Sequence, residues 1–291
     1  NRAFSRGCRL MALATALGGG VSSAAWAAGI QIGQNIDGIN FLGSNCGCLP
    51  PDSNAAVGSN FIVETTNLQL RVFDKTIGSV LYDTPLANFF GAGSGGDPYV
   101  VYDSLAKRWY VSALDSSNNG LFLRVSNDGN PLNGFLPTYH LTNVGGFPDY
   151  QKLGFNHDAI FISYNDFGSS GGNARIATID KNSALAGSLV DYISSPAPQF
   201  RAMPAAQMHG SGPGDPEWFV SVNDGGGNTI RVTKAENYLS NSPTFTDYSL
   251  AVTPYKHPSA TGDQPGPGGG GTVSTEPSVT TTQVQYHNGH L

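Results

Sequence analysis

Four times, at a spacing of roughly fifty residues, the chain pairs an aromatic strand with a second strand centred on arginine. The first strands begin at Phe61-Ile62-Val63, Tyr110-Val111-Ser112, Phe161-Ile162-Ser163 and Phe219-Val220-Ser221. Their partners are Leu70-Arg71-Val72, Leu123-Arg124-Val125, Ala174-Arg175-Ile176 and Ile230-Arg231-Val232. A repeat of this length in a chain rich in short β-favouring runs means one supersecondary unit copied in series, and it predicts an all-β β-propeller of four-stranded antiparallel blades. Each unit reads as strand a, a tight turn, strand b, a loop, strand c, a polar turn and strand d. The a–b turns fall at Gly58-Ser59-Asn60, Leu105-Ala106-Lys107-Arg108, Asn156-His157-Asp158 and Gly214-Asp215-Pro216. These are turn-forming compositions between β-favouring runs. The aromatic-to-arginine separation is 10, 14, 14 and 12 residues, so length varies in the b–c loop, where surface loops tolerate it. No run sustains a helical period.

The repeat occupies 50–291. A stretch rich in Pro, Gly, Ser and Thr interrupts it at 253–277, with a composition unable to bury much apolar surface. Residues 282–291 then resemble strand a, a turn and the start of strand b of a fifth unit. About four and a quarter blades are therefore expected, from a parent of six or seven, since propellers typically have four to eight blades. Residues 28–49 read as an irregular N-terminal arm. Ahead of it, Arg2, Arg6 and Arg9 flank an apolar run that ends in Ala25-Trp26-Ala27, the pattern of a signal peptide covering 1–27. A secreted protein (extracellular, periplasmic or at the cell surface) is expected, with no membrane span after cleavage. Removing that segment leaves 12 basic against 21 acidic residues, a net charge of −9. Nothing in it forms a basic cluster, so nucleic acid is not an expected partner.

Cys46 and Cys48 are the cysteines left after cleavage. In an exported chain a disulfide, local or intermolecular, is the first reading, with free thiols and a metal site as alternatives.

In a propeller the start of strand a and the end of strand b share one face with the b–c loops. Asp52, Asp97 and Asp149 stand at the start of three a strands, and Asp115, Asp166 and Asp224 at the ends of three b strands. All six are expected around the mouth of the central channel. Three readings stay open for them. They lock blade to blade through backbone amides, or they hold a hard cation such as Ca²⁺, which favours oxygen ligands. In the third reading a pair such as Asp97, Asp149 or Asp166 performs acid–base chemistry on a glycan. Asp103, Asp158, Asp215, Asp128 and Asp180 fall in turns on the opposite side and read as turn formers. The repeated arginines are expected to pair with aspartates of neighbouring blades, rather than to converge on an anionic ligand.

One resemblance adds to this. Pro50-Pro51-Asp52-Ser53-Asn54-Ala55-Ala56-Val57-Gly58-Ser59-Asn60 resembles the P-P-D-T-N-x-A-V-G-x-N opening of a group of secreted bacterial β-propellers. Gly96-Asp97-Pro98-Tyr99 with Arg108-Trp109, and Phe147-Pro148-Asp149-Tyr150-Gln151-Lys152-Leu153-Gly154, are similar to the next two units of that group. The resemblance implies fold and export and no reaction. The expectation for the whole chain is an exported module that binds a glycan or protein ligand at the channel mouth, with Ca²⁺ as a candidate there. The alternative is a glycan-active hydrolase or lyase using the mouth carboxylates.

Overall fold

A computed structural model describes residues 35–291 apart from 41, 49–50, 92, 94, 169–170, 197–200, 224–225, 257–260, 264–271, 275–282 and 288. The expected signal segment 1–27, the first part of the arm and Asp224 lie outside the described residues. Among the described residues, no helix is long and apolar enough to cross a membrane.

Three successive antiparallel sheets carry the repeat. The first consists of β1 (Asn54–Val57), β2 (Phe61–Thr66), β3 (Gln69–Asp74) and β4 (Val80–Pro85). The second is β5 (Tyr99–Asp103), β6 (Arg108–Asp115), β7 (Gly120–Val125) and β8 (Tyr139–Leu141). The third is β9 (Pro148–Phe155), β10 (Ala159–Asp166), β11 (Asn173–Asp180) and β12 (Asp191–Ser194). In each sheet the strands pair in chain order, as propeller blades require. Two single-turn helices interrupt the strands: α1 (Leu86–Phe90) drives Phe89 and Phe90 between blades one and two, and α2 (Lys181–Leu185) is capped by Asp180.

The fourth unit contains β13 (Ala206–His209), β14 (Glu217–Val222), β15 (Gly227–Glu236) and β16 (Thr244–Tyr255), but its inner strand has changed partners. Strands β14, β15 and β16 form a three-stranded sheet, whereas β13 joins the third blade beside β9 and also pairs in parallel with β19 (Val284–His287). A single bridge, Ala205 to Phe219, links its start to β14. Gly154 allows this approach: a Cβ there would sit 2.5 Å from the Ala205 Cβ and 2.6 Å from the Ala206 carbonyl oxygen. The inner strands therefore lie side by side, with β19 next to β13 as the fifth unit's strand a. Within 253–277, β17 (Thr261–Asp263) and β18 (Thr272–Ser274) form a small ladder.

Because strand side chains alternate with period two, each middle strand shows one set of residues to the preceding blade and the other to the following blade. Val63 meets Trp109, Val111 and Ala113 across the first junction. Tyr110, Leu121 and Leu123 meet Ile160, Ile162 and Tyr164 across the second, and Phe161 and Ile176 meet Phe219 and Ala235 across the third. The repeat aromatics Phe61, Tyr110 and Phe161 thus point forward along the series, but Phe219 points back, edge-on to Phe161 at 5.9 Å. The forward position in blade four belongs to Trp218, one residue earlier. On that side Trp218 and Val220 pack with Tyr286 against Met208 and Val284, whereas Tyr248 and Leu250 are exposed.

The arginines keep one phase in all four units, but among the described residues the carboxylates they pair with stand in their own blades. Arg71 pairs with Asp83 (2.7 Å), Arg175 with Asp166 (2.8 Å) and Arg231 with Asp247, each inside its own blade. Arg124 donates to the carbonyl oxygens of Phe89, Phe135 and Leu136 and stacks 4.7 Å from the Phe89 ring. A neighbouring-blade carboxylate is not needed, because strands b and d of the same blade flank strand c and bring Asp166, or Asp83 and Asp247, within reach.

The arm segment covers the backward face of blade one: Ile39 N donates to Glu64 Oε2 (2.8 Å), and Asn45 Nδ2 to Gln69 Oε1 (2.5 Å). Cys46 and Cys48 are joined as a disulfide with Cα atoms 5.0 Å apart.

The turn aspartates cap backbone amides. Asp103 accepts from Leu105 and Ala106, Asp128 from Asn130, Asp158 from Gly214, Asp180 from Ser183 and Asp215 from Gly212. Asp103 does more. Fully buried, it also accepts from the Tyr110 hydroxyl (2.8 Å) and from Lys181 Nζ (2.6 Å), a lysine delivered by α2 of the next blade. Removing one partner of a buried ion pair leaves the other charge desolvated and unmatched, at a cost of about 3–5 kcal/mol. An exposed pair is worth about 0–1 kcal/mol. Asp103→Ala is therefore expected to lower the urea unfolding free energy several times more than Asp83→Ala, which breaks the partly exposed Arg71 pair. Equal losses would show that Lys181 does not tie blade two to blade three.

Candidate functional site

The inner strands of blades one to three begin in the same way. Asp52 and Asp97 adopt left-handed backbone at φ +47°, and Tyr150 follows at +57°. Asp is among the residues that tolerate this region, and Tyr is not, so a held conformation of this kind needs neighbours that fix it. Asn67, at the end of the b strand of blade one, supplies them for two blades. Its Oδ1 accepts from Asp97 N (3.0 Å), and its Nδ2 donates to Asp52 Oδ2 (2.7 Å). Gln151 Nε2 donates to the Asp97 carbonyl oxygen, and Asn54 Oδ1 accepts from Val100 N (2.7 Å). At Tyr150 the β9–β10 register shifts by a bulge, a device that re-aims side chains at sheet ends. Blade four has the same backbone with Ala202 at φ +48° and Asn165 Oδ1 accepting from its N–H (2.7 Å). It places no carboxylate there.

These starts enclose a cavity of about 360 Å³ lined by residues of all three blades, among them Asp52, Asn54, Asp97, Tyr99, Tyr150, Gln151 and Lys152, with Gln283 at its edge. Asp149 stands just behind it, hydrogen-bonded to Asp97. Burial, the charges of Asp52 and Asp149 and that hydrogen bond push the Asp97 carboxyl up to about 7. Lys152 is buried, its Nζ 3.5 Å from the Tyr150 ring centre and 5.3 Å from that of Tyr99, donating to the Gln151 carbonyl oxygen (3.1 Å). Burial brings its ammonium down to about 8, against the pull of Asp97, Asp52 and Asp149. Burial also raises the Tyr99 hydroxyl. A carboxyl and an amine that both titrate near neutrality in one cleft mark a functional-site candidate on physical grounds.

The six aspartates expected at the mouth are divided. Asp52, Asp97 and Asp149 come together. Asp115 is buried against His140 Nε2 (2.5 Å) and accepts from Ser117 N and Asn118 Nδ2. Against the cost of burial, those amides and His140 hold its carboxyl below the ordinary value. Asp166 is buried on Arg175 and accepts from the N–H groups of Gly146 and Gly168. Neither reaches the cavity, and Asp224 lies outside the described residues. No group of three or more His, Cys, Asp or Glu among the described residues is placed to hold a metal ion.

Lys152 and Gln151 were not singled out by sequence reasoning. The available signal was a charged residue inside an otherwise apolar inner strand, Gln151-Lys152-Leu153-Gly154-Phe155, directly after the mouth aspartate.

No family model matches the chain, and no curated protein matches it. Among solved structures, it is similar to a subtype N10 neuraminidase-like protein of A/little yellow-shouldered bat/Guatemala/060/2010, at 12% identity and a TM-score of 0.43 over 68% of each chain. It is also similar to the catalytic domain of the Coprinopsis cinerea GH62 alpha-L-arabinofuranosidase, at 13% identity and a TM-score of 0.37, over 70% of this chain and 66% of that one. The native arabinanase of Bacillus subtilis aligns at 14% identity and a TM-score of 0.36, over 67% of this chain and 79% of that one.

Proposed function

We propose that the cavity at the start of the inner strands is the binding site of a hydroxyl-rich ligand, a glycan, and that the chain is an exported binding module. The observation that carries this is the lining: tyrosine rings beside carboxylates and side-chain amides, contributed by three blades to one cavity. Aromatic faces take the apolar side of a sugar ring, and planar polar groups at its edge fix its hydroxyls.

A second reading, general acid–base catalysis on a glycan, is favoured by an Asp97 that titrates near neutral pH. The geometry of its partner argues for binding first. Glycosidases hold their two carboxyl groups about 5–5.5 Å apart when retaining and about 6.5–9.5 Å apart when inverting. Asp97 and Asp149 are instead hydrogen-bonded to each other, a closer approach than either arrangement uses.

Calorimetric titration against a panel of oligosaccharides is expected to find a ligand whose affinity falls about tenfold or more in Tyr150→Ala, equivalent to about 1.4 kcal/mol. A panel without any binder, or a Tyr150→Ala protein that binds as tightly as the parent, would sink the binding reading. Turnover of a bound polysaccharide that Asp149→Asn abolishes would establish the catalytic one in its place.

The Asp97 carboxyl also gives the fold a pH dependence. Its value is raised in the folded state from 3.8 to about 7, so its contribution to stability is fully present below about pH 4 and is lost as pH rises through 7. Between pH 5 and 8 the parent is expected to lose on the order of 2 kcal/mol relative to Asp97→Asn, which keeps a donor toward Asp149 and cannot ionise. Parallel stability profiles for the two proteins in denaturant titrations would show that Asp97 ionises freely.

A further inference from the structure

The charges and hydrogen-bonding groups around the cavity do not balance, and the imbalance has a chemical sense. Three carboxyl groups meet there, those of Asp52, Asp97 and Asp149. Against them, the residues lining the cavity supply the single ammonium of Lys152. Among the described residues, Lys152 makes no ion pair with any of them: its Nζ is turned to the Gln151 carbonyl oxygen and the Tyr150 ring. A cluster of acids alone would say little. Gln151 adds an independent observation. Its side chain is 1% exposed and lines the cavity, its Nε2 is engaged by Asp97, and its Oε1 is buried with no hydrogen-bond partner. A buried acceptor without a donor costs free energy, about 1–3 kcal/mol in general, unless something brings it a proton. The cavity thus has more carboxyl groups than cations beside them, and a surplus of acceptors.

We infer that the ligand presents an ammonium group to this side of the cavity, so that the glycan bound here is an amino sugar with its amine free rather than acetylated. An ammonium offsets the excess of carboxyl groups, and its three N–H donors suit an environment of carboxylate and amide oxygens. An acetamido or hydroxyl group in the same place brings at most one donor and leaves that excess unmatched. A carboxylated or sulfated sugar adds to the repulsion. This inference rests on the glycan-binding reading above and names the chemical class within it.

The test uses β-1,4-linked tetramers of glucosamine, N-acetylglucosamine and glucose, titrated into the full chain at about pH 6, where such amines are charged. The glucosamine tetramer is expected to bind at least about tenfold more tightly than the other two. Asp52→Asn and Asp149→Asn, two variants that preserve side-chain size, should each narrow that preference, and either suffices if the other fails to fold. Glu236→Gln, which removes a charge from the outer turn of blade four, should leave the preference intact and so separates the site from the general attraction of a cation to an acidic protein. Equal affinity for the three tetramers overturns the ammonium inference and leaves the glycan reading standing. The same holds for a preference that Glu236→Gln reduces as much as Asp52→Asn does, and for binding of a neutral glycan from the wider panel with no binding of the amine. If no glycan of either set binds, both fall together.

Discussion

Blades two and three each have two apolar faces, and neither blade can cover them alone. The residues on β6 and β10 alternate so strictly between the preceding and following neighbour that burial of one face presupposes the next sheet in the series. The inner strands, the mouth cavity and the turn-side ion pair all follow from that stacking. Lys181 finds Asp103 because blade three is seated on blade two, and Asn67 finds Asp97 because blade two is seated on blade one. Polar contacts then set the register of a stack that apolar burial has already driven together.

Much of this fold could be read directly from residues. Turn chemistry placed the a–b turns, and the Arg-centred strands lay where strand c lies in all four units. The aromatic of the fourth unit was the exception. Phe219 and Trp218 are adjacent, both aromatic and both plausible as the repeated position, and a one-residue offset in a strand exchanges its two faces. Residue type could not choose between them; packing against Phe161 did. The change of partners by β13 was equally hidden, since it depends on how closely Gly154 lets two inner strands approach.

The site was legible in outline. Sequence order brought Asp52, Asp97 and Asp149 to one end of the inner strands, but it could not distinguish them from Asp115 and Asp166, which occupy repeat positions of the same kind. What separates the two sets is the third dimension: His140 on β8 and Arg175 on β11 stand across from the b-strand ends and take up their carboxylates. The start of strand a has no such basic neighbour except Lys152, which faces tyrosine. Nor does spacing reveal the raised Asp97 carboxyl, since that arises from burial and close approach together.

The cavity draws on residues separated by about a hundred positions along the chain, from Asp52 to Lys152, and no single blade contains enough of it to hold a ligand. It comes into being only when three sheets have docked, a late event in a chain whose contacts are long in sequence. A molecule bound there would favour the assembled stack over every partly docked form, by mass action, without strengthening any one sheet. Ligand occupancy would therefore report on the order in which the sheets assemble, and a chain that had formed all its hairpins but misplaced one blade would keep its secondary structure and lose its cavity.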